Sequence, residues 1–594
     1  MTRRVEAMAD TAPPIRTKTR ESNTKARLAK SALPNKGERA RVPKRLPCPS
    51  PRTHTYTMMT SKRHFATLAA LALCGAAGAQ DIYKAEALTG TDLTGTARYV
   101  GMGGAMNVLG ADLSAMGVNP ASTGFFRRSQ AALTGGFTAQ EGVRTMNDIH
   151  KLRGTFDQAG FVYSMHAGND GLQYINFGFN YQKRRNFKNY TAASAALTGD
   201  LSQSWELRQM AGTLDLGSDN DRNLTMPVAD AAYDAQVIDA ATDANNKVTG
   251  YNDLCGKNYD YRRVQWGGIQ EYDFNVSFNG NDRYYAGVTV GFYNVNMRSA
   301  VLYGEDVTYS GGDAAYAMAQ EEHLSGSGVD VKVGFTFRPI ENNPLRVGIA
   351  VSSPTWYDLT SNAGVSMYST FPFTGDATKY RPYSTGDDTH TAAYFGAGDF
   401  DYRLRTPWKL NIGLATTVDK YLALDAEYEF CRYAGSSIGY SDGDGYYYGS
   451  WGATTTKDAA LNSQVSSMLK AVHTLRVGAE LYLAPRLKAR VGYNYISSPF
   501  KDNAYLNLFT SSPSYYNRTN TDYVNLSATH RVTAGLGYSG KHVFFDAAYQ
   551  YQTQKGTAYA FNYIEDGDLT TNRLAGVGVN YNRHNAIFTL GYKF

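Results

Sequence analysis

The stretch LRVGAELYLAPRLKARVGYNY, Leu475 to Tyr495, alternates apolar and polar residues with a period of two on both sides of a short interruption. This period is typical of a β-strand, in which successive side chains point to opposite faces. Only Ala484-Pro485-Arg486 separates the two halves. The stretch therefore predicts an antiparallel hairpin with one apolar face and one polar face, joined by a tight turn.

The same alternation recurs from residue 129 to the end of the chain. Short connections, such as Val418 to Lys420, alternate with long polar ones, such as Asp306 to Gly326 and the segment 188–265. A soluble sandwich also alternates, but short turns on one side and long loops on the other are typical of outer-membrane barrels. We therefore predict an all-β fold, a transmembrane antiparallel β-barrel over residues 129–594, whose largest extracellular loop is about 188–265.

The strand count supports a barrel that lies in the outer membrane of a Gram-negative bacterium. We identify thirteen strands up to Gln554, and single-chain bacterial barrels have an even number. The stretch from Leu574 to Phe594 is therefore interpreted as one further strand, which gives about fourteen. Its terminal aromatic residue, Phe594, resembles the sorting signal through which the barrel-assembly machinery recognises such chains. We expect a monomer surrounded by outer-membrane lipid and lipopolysaccharide.

Two segments precede the predicted mature chain. Residues 58–79 have the anatomy of a secretory signal peptide: Lys62 and Arg63 precede an apolar run that ends in Ala77-Gly78-Ala79. We expect cleavage after Ala79. Residues 1–57 are basic, rich in Pro and Ser and without apolar periodicity, so we interpret them as a disordered extension from a mis-called translation start. A basic nucleic-acid-binding arm is the alternative interpretation.

The net charge changes sign once these two segments are set aside. The whole chain of 594 residues carries a formal charge of +6, from 59 Lys/Arg and 53 Asp/Glu. Removing the 16 Lys/Arg and 4 Asp/Glu of residues 1–79 leaves 43 and 49, a net charge of −6. The basic balance belongs to the extension and implies no nucleic-acid partner. Of the four cysteines, Cys255 and Cys431 remain; a disulfide between them is one reading, and two free thiols the favoured one.

Residues 80–128 lack the period-two pattern and form a compact segment rich in small residues. Gly101, Gly103 and Gly104 suggest a dinucleotide-binding loop, but Met106 stands where the fingerprint requires Gly or Ala, and no strand and helix flank it. We therefore predict no nucleotide site. Asp112 is placed to cap a one-turn helix that Gly117 closes, and Pro120 holds Asn119 out of the helical region.

The order of these motifs resembles that of the FadL/TodX family of outer-membrane transporters for long-chain fatty acids and other hydrophobic compounds. The similar motifs are Ala97 to Ala105, Gly110-Ala111-Asp112 and Asn119-Pro120-Ala121. The resemblance implies that residues 80–128 are an N-terminal hatch of short helices and loops plugging a fourteen-stranded barrel. On it, Gly101, Gly103, Gly104, Asp112, Asn119, Pro120 and Ala121 are the candidate hatch and gating residues. Ser122-Thr123 and the long segment 188–265 depart from the family pattern.

If the apolar faces meet lipid, the polar faces line the lumen. The charged residues placed there are Glu271, Asp273, Asp330, Lys332, Arg338, Arg346, Arg403, Arg405, Lys409, Asp425, Glu427, Glu429, Arg476, Glu480, Lys488, Arg490 and Asp546. Hairpin geometry predicts that Glu480 lies opposite Arg490 and Lys409 opposite Glu427, so that such pairs neutralise one another and hold the hatch. The sharper hypothesis is that Arg403, Arg405 or Lys409 binds a ligand carboxylate.

The expected function is passive transport of hydrophobic small molecules, most of all long-chain fatty acids. No Gly-x-Ser-x-Gly elbow or metal-ligand spacing supports catalysis, so we expect neither an enzyme, a metal nor a cofactor. No energy-coupling motif is evident. The main alternative is a surface-binding, adhesion or haemin-receptor-like protein for which the barrel is only an anchor; a general polar porin is a third reading, disfavoured by the hatch.

Overall fold

The structure is a computed structural model that describes residues 81–594 apart from 143–151, 169–170, 213–225, 243–247, 310–311, 342, 371–390, 420, 442–454, 507–511, 513–516 and 565–571. The predicted extension 1–57 and signal peptide 58–79 lie outside the described residues. Within them, no helix is both long and apolar enough to span a membrane.

Strands make up most of the described chain. They are β1 (Gln130–Gln140), β2 (Leu152–His166), β3 (Tyr174–Asn186), β4 (Asn189–Ala196), β5 (Asp239–Thr242), β6 (Val248–Asn252), β7 (Cys255–Gly280), β8 (Tyr284–Tyr309), β9 (Gly312–Phe337), β10 (Arg346–Ser352), β11 (Trp356–Ser369), β12 (Thr391–Arg405), β13 (Lys409–Val418), β14 (Leu422–Arg432), β15 (Ser437–Ser441), β16 (Thr455–Lys457), β17 (Ala471–Ala484), β18 (Leu487–Ile496), β19 (Tyr523–Ser539), β20 (Val543–Tyr559), β21 (Val577–Asn580) and β22 (Arg583–Lys593). The helices are α1 (Ile82–Thr89), α2 (Ala97–Gly101), α3 (Gln203–Gly212), α4 (Pro227–Asp234) and α5 (Ala459–Met468), with 3₁₀ helices at Leu113–Gly117, Pro120–Phe125 and Tyr433–Gly435.

The wall is a closed antiparallel barrel of fourteen strands, as predicted. Each wall strand pairs with the next along the chain, and β22 pairs with β1 from Lys593 opposite Gln130 to Arg583 opposite Gln140, which closes the ring. Two neighbouring wall strands are built from two parts each, β10 with β11 and β12 with β13. The breaks fall at Pro354 and Pro407, which have no N–H to donate to a ladder.

The barrel has an apolar exterior and a polar interior. On β17, the side chains of Leu475 and Val477 are 42% and 44% exposed, whereas Arg476 and Glu480 between and beside them are 6% and 0% exposed. The outward residues of β18, β19, β20 and β22 follow the same rule. A continuous apolar exterior over a polar lumen is the arrangement of a barrel that lies in lipid. The predicted orientation of the two faces is therefore confirmed for these strands.

The hatch, residues 81–128, fills the lumen. Its helices α1 and α2 and its two 3₁₀ helices are largely buried. Asp112 caps the first 3₁₀ helix, as predicted, by accepting a hydrogen bond of 3.0 Å from the backbone N–H of Ser114. Gly117 is the last residue of that helix rather than a left-handed cap, and Val118 follows it. Phe126, which follows the second 3₁₀ helix, is 4% exposed.

The predicted loop 188–265 is in large part regular structure. β4 pairs with β7 along Asn189 opposite Gln265 to Ala196 opposite Asn258, and β7 begins at Cys255. Helices α3 and α4, here called the cap, pack at the end of the barrel that carries the long connections, against the inner face of the upper wall. Long insertions fold back in this way because their apolar side chains, such as Met210 and Val228, have no other buried surface to cover them.

The prediction of a loop from Asp306 to Gly326 is wrong, because β8 and β9 continue as one ladder up to Tyr309 opposite Gly312. β7, β8 and β9 each have 26 residues. A membrane-spanning β-strand needs only about 9–11 residues, so these strands rise well beyond the apolar band. Their alternation does not stop at the membrane surface, since the cap covers their inner face.

The two cysteines of the barrel do not pair with one another. Cys431 is a buried free thiol, which excludes a disulfide with Cys255 and agrees with the favoured prediction for Cys431.

Glycines on the wall and in the hatch explain how the hatch fits. A Cβ on Gly492 of β18 would overlap the backbone nitrogen of Gly103, and one on Gly478 of β17 would overlap the carbonyl oxygen of Met102. In turn, Gly103 has a φ of +67°, and a Cβ there would lie 2.7 Å from the nitrogen of Tyr493. The glycines that suggested a nucleotide loop thus allow backbone-to-backbone contact with the wall.

Replacing Gly492 with Val is expected to displace the hatch while leaving the outer wall intact. Overpacking of this kind costs roughly 1–3 kcal/mol, so the leak of small sugars into proteoliposomes should rise by about fivefold or more. Gly154→Val is the matched control, because a Cβ at that strand glycine meets no atom within 4 Å. Equal leaks from the two variants, both folded by heat-modifiable gel mobility, would contradict this account.

Candidate functional site: the hatch and the luminal chamber

The Asn-Pro-Ala turn lies where the hatch meets the wall. The side-chain amide of Asn119 donates to the carbonyl oxygen of Asn107 at 2.9 Å and to Oγ1 of Thr336 on β9 at 3.1 Å. Its Oδ1 accepts from the N–H of Ala121 at 3.1 Å, and Asn275 on β7 donates to the carbonyl of Pro120 at 3.2 Å. Both faces of the turn are therefore bonded, one to the hatch and the other to two wall strands.

Asp112 holds the middle of the hatch together. Oγ1 of Thr96 donates to its carboxylate at 2.8 Å, and the N–H of Thr96 bonds Ser114 at 2.8 Å. Burial raises the pKa of Asp112, although nearby Arg98 opposes this effect. Arg98 also donates to the carbonyl of Ala111 at 2.8 Å. The predicted cap is thus one member of a closed hydrogen-bonded unit.

Wall carboxylates accept hydrogen bonds from the backbone of the hatch. Glu427 on β14 accepts from the N–H of Asn107 at 2.7 Å, and Asp425 accepts from the N–H of Leu109 at 2.9 Å. Glu480 on β17 is fully buried and binds Arg98 of the hatch at 3.1 Å. These contacts satisfy hatch N–H groups that have no helical partner and wall charges that have no water.

The predicted cross-strand pairs are half right. Glu480 lies opposite Arg490, and Nε of Arg490 is 2.7 Å from the carboxylate. Lys409, however, lies opposite Cys431, and Glu427 lies opposite Gly413. The error comes from the turn, which pairs Val418 with Leu422 and so sets a register four residues from the one assumed.

A second buried network surrounds Lys332 on β9. Its ammonium group lies 2.7 Å from Glu271, 3.0 Å from Asp273 and 3.0 Å from Asp330. Arg184 adds a contact of 3.2 Å to Glu271. These predicted lumen charges are therefore in the lumen, but they neutralise one another and offer no cation to a ligand.

Of the three cations predicted to bind a carboxylate, only Lys409 faces the lumen. It is half-buried and donates to the carbonyl of Thr89 in the hatch at 3.3 Å. Arg403 and Arg405 face outward, since Tyr402 and Leu404 are the buried residues of β12. Arg403 pairs with Asp358 at 2.8 Å. The break at Thr406-Pro407-Trp408 shifts the alternation by one residue, which the sequence pattern did not reveal.

Between the hatch and the wall strands lies a cavity of about 180 Å³, here called the luminal chamber. Its lining includes a group of apolar and aromatic residues, Phe187, Met297, Val301, Val472, Phe500 and Val524. Tyr83 of α1 packs on Phe500 with ring centroids 4.9 Å apart and donates to Oδ1 of Asn525 at 2.9 Å. The chamber thus has an apolar side formed jointly by the wall and the hatch.

The lining of the chamber also carries three arginines around Asp92 of the hatch. Arg531 lies 3.3 Å from Asp92, and Arg185 pairs with Glu86 at 3.1 Å. Arg583 donates from Nη2 to the carbonyl of Lys188 at 3.0 Å, while its buried Nε has no hydrogen-bond partner. Burial raises the pKa of Asp92, but these guanidinium groups outweigh that effect and hold it below its usual value.

Sequence reasoning missed these three arginines because β3, β19 and β22 are far apart in the chain. Arg531 did carry a signal, since it alternates with the exposed Val532 and therefore points inward. Which other cations lie near Arg531 depends on how the barrel closes and how its strands tilt. In the described ranges, no group of three or more His, Cys, Asp or Glu side chains is arranged to hold a metal ion.

Several solved structures are similar to this chain. No family model matches it, and no curated protein matches it in sequence. A Pseudomonas aeruginosa FadL homologue is 13% identical, with a TM-score of 0.45, covering 85% of this chain and 99% of that one. The Ralstonia pickettii toluene transporter TbuX and the Pseudomonas putida toluene transporter TodX, each 13% identical, have TM-scores of 0.41 and 0.40 with the same coverage.

Replacing Pro120 with Gly is expected to loosen the hatch. Glycine in place of a compatible proline increases the freedom of the undocked segment by about 0.4–1 kcal/mol, so leak of small solutes through reconstituted barrels should rise roughly two- to fivefold. Pro485→Gly, in the short turn between β17 and β18, is the control. If Pro120→Gly leaks no more than that variant, the turn is a linker and not a gate support.

Proposed function

We propose that this protein is a passive outer-membrane channel for hydrophobic small molecules with an acidic head group, most of all long-chain fatty acids. The observation that carries the proposal is the luminal chamber, which places an apolar side and an arginine cluster next to each other inside a barrel plugged by a hatch. Molecules that combine a hydrocarbon tail with a carboxylate match both sides.

The chamber lies inside the barrel, lined by hatch residues between Asp81 and Asp92 and by the surrounding wall strands. A volume of about 180 Å³ is below the roughly 300 Å³ of ordinary small-molecule pockets. A long-chain ligand therefore requires the hatch or the cap to move, and we assign the gating role to the Asn119-Pro120-Ala121 turn and the Gly101 to Gly104 contact with the wall.

The head group is proposed to bind at the arginine cluster. Arg185, Arg531 and Arg583 lie around Asp92 and Glu86, so three guanidinium groups meet two carboxylates in this part of the chamber. A carboxylate can accept charge-assisted hydrogen bonds there, and the guanidinium fork fits it in two-point geometry. Arg583 is the residue chosen for the test because its Nε is not bonded to the protein.

Arg583→Gln is expected to weaken binding of hexadecanoic acid by about tenfold, the effect of losing one hydrogen bond to a charged group. Hexadecanol, which has the same tail and no charge, should bind the variant as it binds the unmodified protein. Binding is measured by displacement of a fluorescent fatty acid from the purified barrel. Arg403→Gln is the matched control, since Arg403 is a cation on the outer face of the same barrel.

Equal losses for acid and alcohol, or none for either, would contradict the assigned head-group site. Transport itself is tested by uptake of labelled fatty acid in a deletion strain that carries the unmodified gene or none. If uptake is the same in both while adhesion or haemin binding is lost without the gene, the barrel is an anchor for surface binding.

A further inference from the structure

Three tyrosine–histidine pairs repeat across the outer face of the barrel. The hydroxyl of Tyr428 is 2.7 Å from Nδ1 of His473, that of Tyr493 is 2.8 Å from Nδ1 of His530, and that of Tyr549 is 2.7 Å from Nδ1 of His584. In each case a second aromatic ring, Phe430, Tyr495 or Tyr551, lies directly opposite the histidine and within 5.5 Å of its ring centroid. The three tyrosines and three histidines that form these hydrogen bonds are here called the Tyr–His row.

The row lies at one height around the barrel. Each tyrosine is the seventh residue of its strand, since β14 begins at Leu422, β18 at Leu487 and β20 at Val543. All three strands start at short turns, so the row is at a constant distance from the periplasmic rim. It spans six neighbouring wall strands, β14, β17, β18, β19, β20 and β22.

The row marks the upper edge of the apolar band. Below His473, the outward residues of β17 are apolar down to Leu483, a run of nine residues from Leu475. Below His530 the same holds down to Tyr538. Since about 9–11 residues cross the bilayer, the histidines lie at the head-group level on the side of the long connections.

The hydrogen bonds orient each imidazole toward the lipid. When the tyrosine hydroxyl donates to Nδ1, the ring proton resides on Nε2, which becomes an outward donor. No atom of the described residues bonds to Nε2 of His473 or His530, whereas Nε2 of His584 is 2.8 Å from Glu141. Two of the three pairs thus present an N–H group to the surroundings in the neutral state.

Basic residues lie beside and above these donors on the same outer face. Arg432 follows Phe430 on β14 with its side chain exposed, and Lys555 is exposed on β20 above Tyr551. Two acidic groups among the described residues at this end are already paired, Glu141 with His584 and Asp502 with Lys470. The part of the row around His473 and His530 therefore combines N–H donors, a cation and aromatic faces, a set that suits a phosphate attached to a hydrocarbon anchor.

We propose that the Tyr–His row binds the phosphate groups of lipids in the extracellular leaflet. The proposal goes beyond transport and does not depend on it, because the row is on the outer face and shares no residue with the luminal chamber. Lipid phosphates held at this height would fix the vertical position of the barrel in the membrane.

The test compares binding of a bisphosphorylated diglucosamine lipid with its fully dephosphorylated form. Purified full-length barrel in neutral detergent is titrated with each lipid, and bound lipid is counted by native mass spectrometry. The variant His473→Gln with His530→Gln is expected to bind the phosphorylated lipid about tenfold more weakly, as for the loss of hydrogen bonds to a charged group. The dephosphorylated lipid should bind weakly and equally to both proteins.

The matched control is His166→Gln with His542→Gln. His166 and His542 are also exposed beside aromatic rings, Tyr174 and Tyr592, but at the periplasmic end of the barrel. This control should bind like the unmodified protein. Should the double variant of the row fail to fold, Tyr428→Phe with Tyr493→Phe keeps the rings, frees Nδ1 and is expected to weaken binding in the same direction.

Three results would overturn the proposal. The first is equal binding of the phosphorylated lipid by the row variant and the control. The second is failure of the unmodified protein to distinguish the two lipids. The third is displacement of the lipid by an excess of inorganic phosphate, which would show a site for the free ion instead of a lipid.

Discussion

A polar lumen that contains a folded segment instead of bulk water is the constraint on which the rest of the structure depends. Charges inside it must be neutralised by other side chains or by the backbone, because an unpaired buried charge is strongly destabilising. Glu480 shows the solution most directly: it is fully buried and contacts Arg98 of the hatch together with Lys488 and Arg490 of the wall. Asp425 and Glu427 depend on hatch N–H groups in the same way. Wall and hatch therefore complete each other, and neither has its polar groups satisfied alone.

The same constraint makes the hatch a movable part. Its contacts with the wall are mostly hydrogen bonds and close backbone approaches at glycines, with a smaller apolar cluster around Met102 and Met106. Polar contacts exchange readily for contacts with water, whereas a large apolar interface does not. A segment held in this way can be partly displaced when water or a ligand enters. This property suits a movable plug better than a permanent core.

Much of the fold was predictable because alternation, turn length and strand parity are local or countable. The hairpin from Leu475 to Tyr495 and the pairing of Glu480 with Arg490 followed from the sequence alone. The outward direction of Arg403 did not, since a three-residue break at Pro407 reverses the alternation above it. The arginine cluster of the chamber was also out of reach, because Arg185, Arg531 and Arg583 meet only through the closure of the ring. The Asn119-Pro120-Ala121 turn was located from its motif, but its bonds to Thr336 and Asn275 required the structure.

The breaks at Pro354 and Pro407 divide two adjacent wall strands at the same height. Below the breaks, Ala350 and Asn411 point inward; above them, Tyr357 and Tyr402 do, so odd and even positions exchange faces in both strands together. Along each of these two strands, the residues that face the lumen are therefore of one parity below the break and of the other parity above it. A protein engineer could therefore replace the upper wall at these breaks with a segment from another barrel. The new segment need not continue the alternation of the membrane-embedded part, but its lumen-facing residues must have the opposite parity.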